Sequence, residues 1–191
     1  MVFDMLASAL RDSDRPTVRI LEDLSGRELH IEVLDHGHRL LSGAERHRLH
    51  AAGLALGWWR TGLLRTADGA VAASTSLVWL PARLPCEACR ALDAGAEPAG
   101  VILGPLGMRR EDRQAAVTAV PDEVTGQDPA VRCTAVLTVN RRPVAIAAQC
   151  VTREFAEGLA VAEIRRAQDP GRQDGRAATS ATASHKLAWQ I

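Results

Sequence analysis

Two pairs of apolar segments, each joined by a tight turn, restrict the folds that this chain can adopt. The segments Leu56 to Arg65 and Val71 to Leu80 flank an Asp-Gly turn, a dipeptide that strongly favours a β-hairpin. Arg132 to Val139 and Pro143 to Thr152 flank a second tight turn, NRR. We therefore predict two β-hairpins, with the first at the centre of the scaffold.

Helical and strand periodicities around the hairpins complete the predicted fold. Helical spacing and end signals predict helices over the segments Val2 to Arg11, Cys86 to Gly95 and Glu154 to Ala167. A further helix is predicted to be capped by Ser13 or Asp14, with Pro16 near its first turn, and to stop at Gly26. Alternating apolar and polar residues predict a strand over Glu28 to Leu34. Helices followed by strands that return through short turns indicate an α+β fold, in which an antiparallel β-sheet carries flanking helices.

The remaining segments show no clear periodicity. We expect DHGHRLLSGAERHRLHAAG to be a connecting loop with one irregular turn, and EPAGVILGPLGMRRED to form two Gly-Pro turn elements around the apolar VIL. A length of 191 residues and a hydrophobic fraction of 47% suffice for one domain, which we place at residues 1–167. The low apolar content of residues 168–191 predicts a mobile tail.

Composition and charge argue against several classes of partner. The 23 basic and 23 acidic residues are interleaved, so the sequence has no basic stripe for a row of phosphates, and we expect no nucleic-acid partner. Aromatic residues make up 3% of the chain and are scattered, which leaves no stacking platform for single strands. No long uninterrupted apolar run occurs, and the N-terminal segment has acids where a signal peptide needs bases. We therefore expect a cytoplasmic protein without a membrane partner.

The four cysteines and the clustered histidines offer weak metal signals. Cys86 and Cys89 form a C-x-x-C, but a structural zinc site needs two further ligands at similarly close spacing. Cys133 and Cys150 lie on separate predicted strands. Loop histidines such as His36 have no nearby pair of carboxylates to complete a site. We predict free thiols at the start of a helix, no metal and no organic cofactor.

Two polar residues interrupt apolar strands and are candidates for a site. Arg60 lies in GWWRTGLL, where an unpaired guanidinium would be costly, and a carboxylate ligand could pair with it. The alternative is an edge-strand arginine that faces solvent or an acid. Gln149 interrupts PVAIAAQCV and shares a face with Ala145 and Ala147, whose small side chains leave room beside it. It would bind either a ligand or the neighbouring backbone.

The order of these segments resembles the chorismate lyase family and its wider UTRA-like relatives, which include ligand-binding domains of transcription regulators. The resemblance runs through PTVRILEDLSG, ELHIEVL, the Arg60 hairpin, SLVWLPARLP, AGAEPAGVIL and RRPVAIAAQCV, from about Pro16 to Phe155. It implies an antiparallel sheet with helices that encloses an internal ligand cavity. Lyases of this family eliminate pyruvate from chorismate and leave a hydroxybenzoate.

The resemblance also implies roles for individual residues. The family's arginine for the ligand carboxylate falls on Arg60 if the strands are matched through R-x-x-L-L, whereas a match through the Asp-Gly turn places it on Thr61 and reverses the face. The family's P-L-G, which lines the cavity, reads Pro98, Ala99 and Gly100. The reactive glutamate falls on Gln149, whose amide cannot act as a general acid or base.

We therefore expect an enzyme that acts on a small carboxylated substrate, with pyruvate elimination as the first hypothesis. Arg60 and Gln149 would be its catalytic residues, and Thr61 with the Pro98–Gly100 segment would bind substrate. One alternative is a diverged enzyme of secondary metabolism that performs a cyclisation, elimination or isomerisation. Another is a non-catalytic small-molecule-binding domain. The sequence argues against a regulator that carries its own helix-turn-helix, because only about fifteen residues precede the shared pattern.

Overall fold

A six-stranded antiparallel sheet carries the fold. The computed structural model describes residues 2–122, 124–126 and 128–159. The strands are β1 (Leu29–Leu40), β2 (Leu56–Thr66), β3 (Val71–Trp79), β4 (Arg109–Val117), β5 (Pro129–Val139) and β6 (Arg142–Thr152). Their order across the sheet is β1-β2-β3-β6-β5-β4, and every neighbouring pair is antiparallel. The hairpins β2–β3 and β5–β6 therefore form the middle of the sheet, and the strands β1 and β4 form its edges.

Short helices connect and cover the strands. They are α1 (Val2–Asp12), α2 (Thr17–Ser25), α3 (Gly43–Arg48), α4 (Cys86–Ala94) and α5 (Ala99–Leu103), and residues 153–159 are also helical. The helices α2 and α4 each end at a glycine with a φ of 68°, the left-handed conformation that stops a helix. Pro16 and Pro98 directly precede α2 and α5. Proline suits the start of a helix because it lacks an N–H group that the helix could not use there.

The apolar faces of most helices pack on one face of the sheet. Leu10 of α1 and Leu21 of α2 share a core with Val151, and all three side chains are fully buried. Trp79 forms a second core with Leu92 of α4, among other residues. A separate, small cluster contains Leu41 and Leu49, which flank α3, and Leu80, and it also involves residues of β3 and β6. We call the face under α1, α2, α4 and α5 the covered face.

The fold class expected from the sequence is confirmed. The structure is α+β, with an antiparallel sheet and flanking helices, and both predicted hairpins are present. No helix within the described residues is long and apolar enough to cross a membrane. The helix predicted to start at Glu154 is described up to residue 159. The domain boundary expected at residue 167 and the tail expected over 168–191 lie outside the described residues.

The prediction for the segment after Leu34 is wrong, because β1 continues to Leu40. A bulge between Val33 and Asp35 breaks the alternation of apolar and polar residues that marked the first half of the strand. The second half lies at the edge of the sheet, where most side chains are exposed and carry no apolar signal. The irregular turn is the helix α3, whose capping box joins Ser42 and Glu45.

The prediction of two turn elements between Glu97 and Asp112 is also incomplete. This segment contains α5 and the start of β4. The strand β4 reads RREDRQAAV and has a bulge between Glu111 and Gln114. Its backbone pairs with β5, a partner that lies later in the chain. A polar strand stabilised by such pairing has no local hydrophobic period by which the sequence could reveal it.

The close approach of β1 and β2 requires a glycine at position 62. A Cβ atom there would lie 2.5 Å from the carbonyl oxygen of Glu32, next to the bulge. We predict that Gly62→Ala lowers the free energy of unfolding by about 2–3 kcal/mol, because the backbone of β1 must shift. Chemical denaturation of the purified protein measures this change.

Gly104→Ala is the matched control, because a Cβ at Gly104 meets nothing within 4 Å and its φ is −52°. We expect this variant to change stability by less than about 1 kcal/mol. Equal effects of the two substitutions would contradict the steric explanation.

Candidate functional site

A small cavity lies between the covered face of the sheet and the first residues of α2 and α5. Its volume is about 40 Å³, which corresponds to room for about three water molecules. Side chains of all six strands and of both helix starts line it; the lining residues are Pro16, Thr17, Val18, Ile31, Arg60, Leu64, Thr75, Leu77, Pro98, Ala99, Gly100, Met108, Arg110, Ala135, Leu137, Ala147 and Gln149.

The register of the central strands brings the cavity residues together. Arg60 of β2 pairs with Leu77 of β3, which pairs with Ala147 of β6, and Ala147 pairs with Ala135 of β5. Side chains at paired positions point to the same face, so these four form one row across the covered face. Gln149 lies two residues along β6 and therefore also faces the cavity.

Arg60 is buried in the wall of the cavity, with 3% of its surface exposed. Its Nη1 donates to the carbonyl oxygen of Leu92 at 2.7 Å, and its Nη2 donates to the carbonyl oxygen of Glu97 at 2.9 Å. Burial lowers the pKa of Arg60 to about 10, so the side chain is charged at neutral pH. Among the described residues no carboxylate forms an ion pair with it.

A second buried arginine, Arg110, faces the same cavity and was not predicted. It is 6% exposed, and its Nη1 donates to the carbonyl oxygens of Ser13 and Arg15 at 3.2 and 3.0 Å. Burial lowers the pKa of its guanidinium too. The sequence hides this residue because Arg109 beside it is exposed and the strand β4 has no apolar alternation. A correct assignment of β4 as a strand is the one signal that could have singled it out.

The side chain of Gln149 has one hydrogen bond, made by its oxygen, so its amide nitrogen is left for a ligand. The thiol of Cys133 donates to its Oε1 at 3.5 Å, and burial raises the pKa of that thiol. The amide nitrogen of Gln149 makes no hydrogen bond with the residues that the structure describes. Ala147, the next residue of β6 on this face, is small enough to leave space beside it.

The segment Pro98–Gly100 and the start of α2 form the roof of the cavity. A Cβ atom on Gly100 would lie 2.6 Å from the Cβ of Pro16, so glycine is what allows the two helix starts to touch. No side chain within the described part of the chain caps α2. The free N–H groups in the first turn of such a helix favour an anion.

The other predicted site residues lie elsewhere. Thr61 follows Arg60 directly in an unbroken stretch of β2 and therefore faces the opposite side of the sheet. The structure thus has the register in which Arg60, and not Thr61, faces the cavity. Cys86 and Cys89 lie in the first turns of α4 with free thiols. No group of three or more metal-binding side chains comes together within residues 2–122, 124–126 and 128–159.

The cavity combines a positive charge with an apolar wall. No Asp, Glu or His is among the described residues that line it, whereas two arginines are. An anionic group can bind to such a wall through charge-assisted hydrogen bonds. Among the described lining residues, no side chain exchanges a proton near neutral pH, as general acid–base chemistry needs.

Several solved structures share this fold. The effector domain of PhnF from Mycobacterium smegmatis matches with a TM-score of 0.58 and 8% identity, over 73% of this chain and 90% of that one. The longer PhnF structure matches with a TM-score of 0.54 and 8% identity, over 70% of this chain. The ligand-binding domain of a putative GntR-family transcriptional regulator from Bordetella bronchiseptica has 13% identity and a TM-score of 0.50, over 66% and 86% of the two chains.

These identities are low, so the likeness concerns the fold. The match covers 62% of the longer PhnF chain. No protein-family model matches the sequence, and no curated protein is significantly similar to it. The chain has the fold of UTRA and chorismate-lyase-like domains.

The prediction of a chorismate lyase is wrong, and so is the broader prediction of an enzyme. The matching structures include the effector domain of PhnF and the ligand-binding domain of a putative GntR-family transcriptional regulator. The alternative of a non-catalytic small-molecule-binding domain fits these structures better.

A negative charge at position 149 should replace the missing counter-charge of the cavity. We predict that Gln149→Glu raises the free energy of unfolding at pH 7 by about 1–2 kcal/mol, because both arginines hold the pKa of the introduced carboxyl below its ordinary value. This gain is present above the unfolded pKa of about 4.3 and is lost as the pH falls through the folded pKa. Chemical denaturation at pH 7 and at pH 3 measures it.

Gln114→Glu is the matched control, since Gln114 is an exposed residue of β4. It should give no stabilisation. If Gln149→Glu destabilises the protein at pH 7 more than at pH 3, the cavity is not the positive environment described above.

Proposed function

We propose that this chain is the ligand-binding domain of a regulatory protein and that its cavity binds a small anionic molecule without transforming it. The observation that carries this proposal is the charge of Arg60, which is buried in the cavity wall and has no carboxylate partner among the described residues.

A buried guanidinium without a counter-charge is unusual, because its burial costs folding free energy. The carbonyl oxygens of Leu92 and Glu97 accept hydrogen bonds from two of its nitrogens, but carbonyls do not neutralise the charge. An anion in the cavity would do so, and in a low-dielectric site this attraction is strong. The anion would thus be bound mainly through Arg60.

The remaining lining supports binding rather than catalysis. Most of the wall is apolar, and Gln149 can orient a hydroxyl or carbonyl group through its amide. This amide occupies the place where the lyases that the chain resembles have a glutamate. Since an amide exchanges no proton at ordinary pH, the arrangement recognises a ligand but has no acid or base for an elimination.

A regulatory role is supported by the proteins that share the fold. One of them is the effector domain of PhnF, and another is the ligand-binding domain of a putative GntR-family transcriptional regulator from Bordetella bronchiseptica. In such a protein, ligand binding would shift the population between two conformations of the domain. We therefore propose that this chain senses its ligand on behalf of a larger regulatory assembly.

Arg60→Gln tests the proposal directly. The wild-type protein should bind at least one compound from a panel of small carboxylates and phosphate esters, seen as a rise in melting temperature and confirmed by titration calorimetry. The variant should weaken that binding at least about thirty-fold, because it removes one partner of a buried charge pair. Circular dichroism checks that the variant is folded.

Arg83→Gln is the matched control. Arg83 also donates to backbone carbonyls, those of Pro143 and His50 at 2.7 and 3.0 Å, but it does not line the cavity. Its replacement should leave ligand affinity unchanged. The proposal fails if no anion of the panel binds the wild type, or if Arg60→Gln binds as tightly as the wild type.

A further inference from the structure

The two arginines reach the cavity from opposite sides. Arg60 lies on β2 and Arg110 on β4, and the strands β3, β6 and β5 separate them. At a spacing of about 4.8 Å per strand, their backbones are about 19 Å apart. Both side chains nevertheless line one cavity, so they extend inward from its two ends.

The two guanidinium groups have similar environments, although Arg110 is also attracted by the carboxylate of Asp14, which forms an ion pair with Arg113. Each is buried, each donates to two backbone carbonyl oxygens of the covering segments, and neither forms an ion pair within the described residues. No acid lines the cavity in the described part of the chain. A ligand with one negative charge could compensate one arginine and would leave the other uncompensated.

We propose that the ligand is a compact molecule with an anionic group at each end, and that Arg110 binds the second group. This inference rests on the proposed function, since it specifies the ligand of the same cavity. The shared chemistry is that of a short α,ω-dianion, such as a dicarboxylate or a carboxylate that also bears a phosphate.

The middle of the cavity restricts the body of this ligand. Between the two arginines the wall includes the apolar residues Leu77, Ala147 and Ala135, and beside them Thr75 of β3 pairs with Gln149. Gln149 is the polar side chain of the central strand β6 at the cavity. The body is therefore mostly apolar or flat, with a hydroxyl or carbonyl group at the position that the Gln149 amide and the Thr75 hydroxyl line. A volume of about 40 Å³ favours a short body.

A purely structural role is the competing explanation for Arg110. Its hydrogen bonds to the carbonyl oxygens of Ser13 and Arg15 connect the segment between α1 and α2 to the sheet. In this explanation, that connection is the whole role of Arg110. The two roles differ in one measurable respect. Replacing a structural arginine changes the stability of the protein and the affinity for all ligands alike. Replacing a ligand-binding arginine changes the preference for a ligand with a second negative charge.

The decisive comparison is between a dicarboxylate and its own monomethyl ester. The ester keeps the carbon skeleton and removes one charge, so the ratio of the two affinities measures the second anionic contact. We would titrate the purified full chain with the linear series from malonate to suberate, with isophthalate and terephthalate, with phosphonoacetate, and with the corresponding half-esters. For the best dianion we expect the half-ester to bind at least about tenfold more weakly, with one optimum of length.

Variants then assign the second contact. In Arg110→Gln the ratio of the affinity for the dianion to the affinity for the half-ester should fall to about two or less. The affinity for the half-ester itself should change little. Arg83→Gln should keep the wild-type ratio. If Arg110→Gln does not fold, Arg110→Lys keeps the charge but loses the forked geometry, and it should lower the ratio without abolishing it.

The outcomes separate this inference from the proposed function. Equal binding of dianion and half-ester by the wild type overturns the inference, and so does an unchanged ratio in Arg110→Gln. If a monocarboxylate then binds in a manner that depends on Arg60, the proposed function stands alone. Absence of binding by every anion in the series overturns both.

Discussion

The buried guanidinium of Arg60 is the constraint on which the rest of this structure depends. It lies in the middle of a sheet face that is otherwise apolar, and it is hydrogen-bonded by carbonyl oxygens near the end of α4 and in the turn that follows. The last carbonyls of a helix carry a partial negative charge and lack partners within the helix, so they suit a cation. These hydrogen bonds fix α4 and the Pro98–Gly100 segment over the sheet, and the cavity lies beneath them.

The opposite end of the cavity is built in the same way. Arg110 binds the carbonyls of the segment between α1 and α2, and Gly100 lets α5 touch Pro16 at the start of α2. The covering segments are thus attached to the sheet by charge-assisted hydrogen bonds as well as by apolar contacts. Since both cations lack a carboxylate partner in the described chain, the positive charge of the cavity is a property of its construction.

The difference between fold and function explains the one large error of sequence reasoning. The order of segments resembled a family that contains both lyases and regulator domains, and such an order reports on a fold. Function depends on the few groups in the site. The amide at Gln149 already argued against acid–base chemistry, and the matching structures are effector and ligand-binding domains. The substitution in the site was therefore the better guide to function than the general resemblance.

Local patterns in the sequence were sufficient for the elements that form the middle of the sheet. The hairpin signals identified β2–β3 and β5–β6, and strand alternation put Gln149 on one face with Ala145 and Ala147. The family resemblance assigned the ligand-binding arginine to Arg60 in preference to Thr61. Local patterns were not sufficient for the edge strands β1 and β4. The second half of β1 and all of β4 are polar or bulged, and their backbones are stabilised by distant partners.

The sequence by itself therefore determined the fold class, the two hairpins and one arginine of the candidate site, because turn residues and hydrophobic alternation act within a few neighbours along the chain. Only the tertiary structure decided that Arg110 lies opposite Arg60 and that Pro16 meets Gly100. Those contacts join residues that are far apart in the chain, and they form when strand pairing and helix packing bring the two ends of the cavity together.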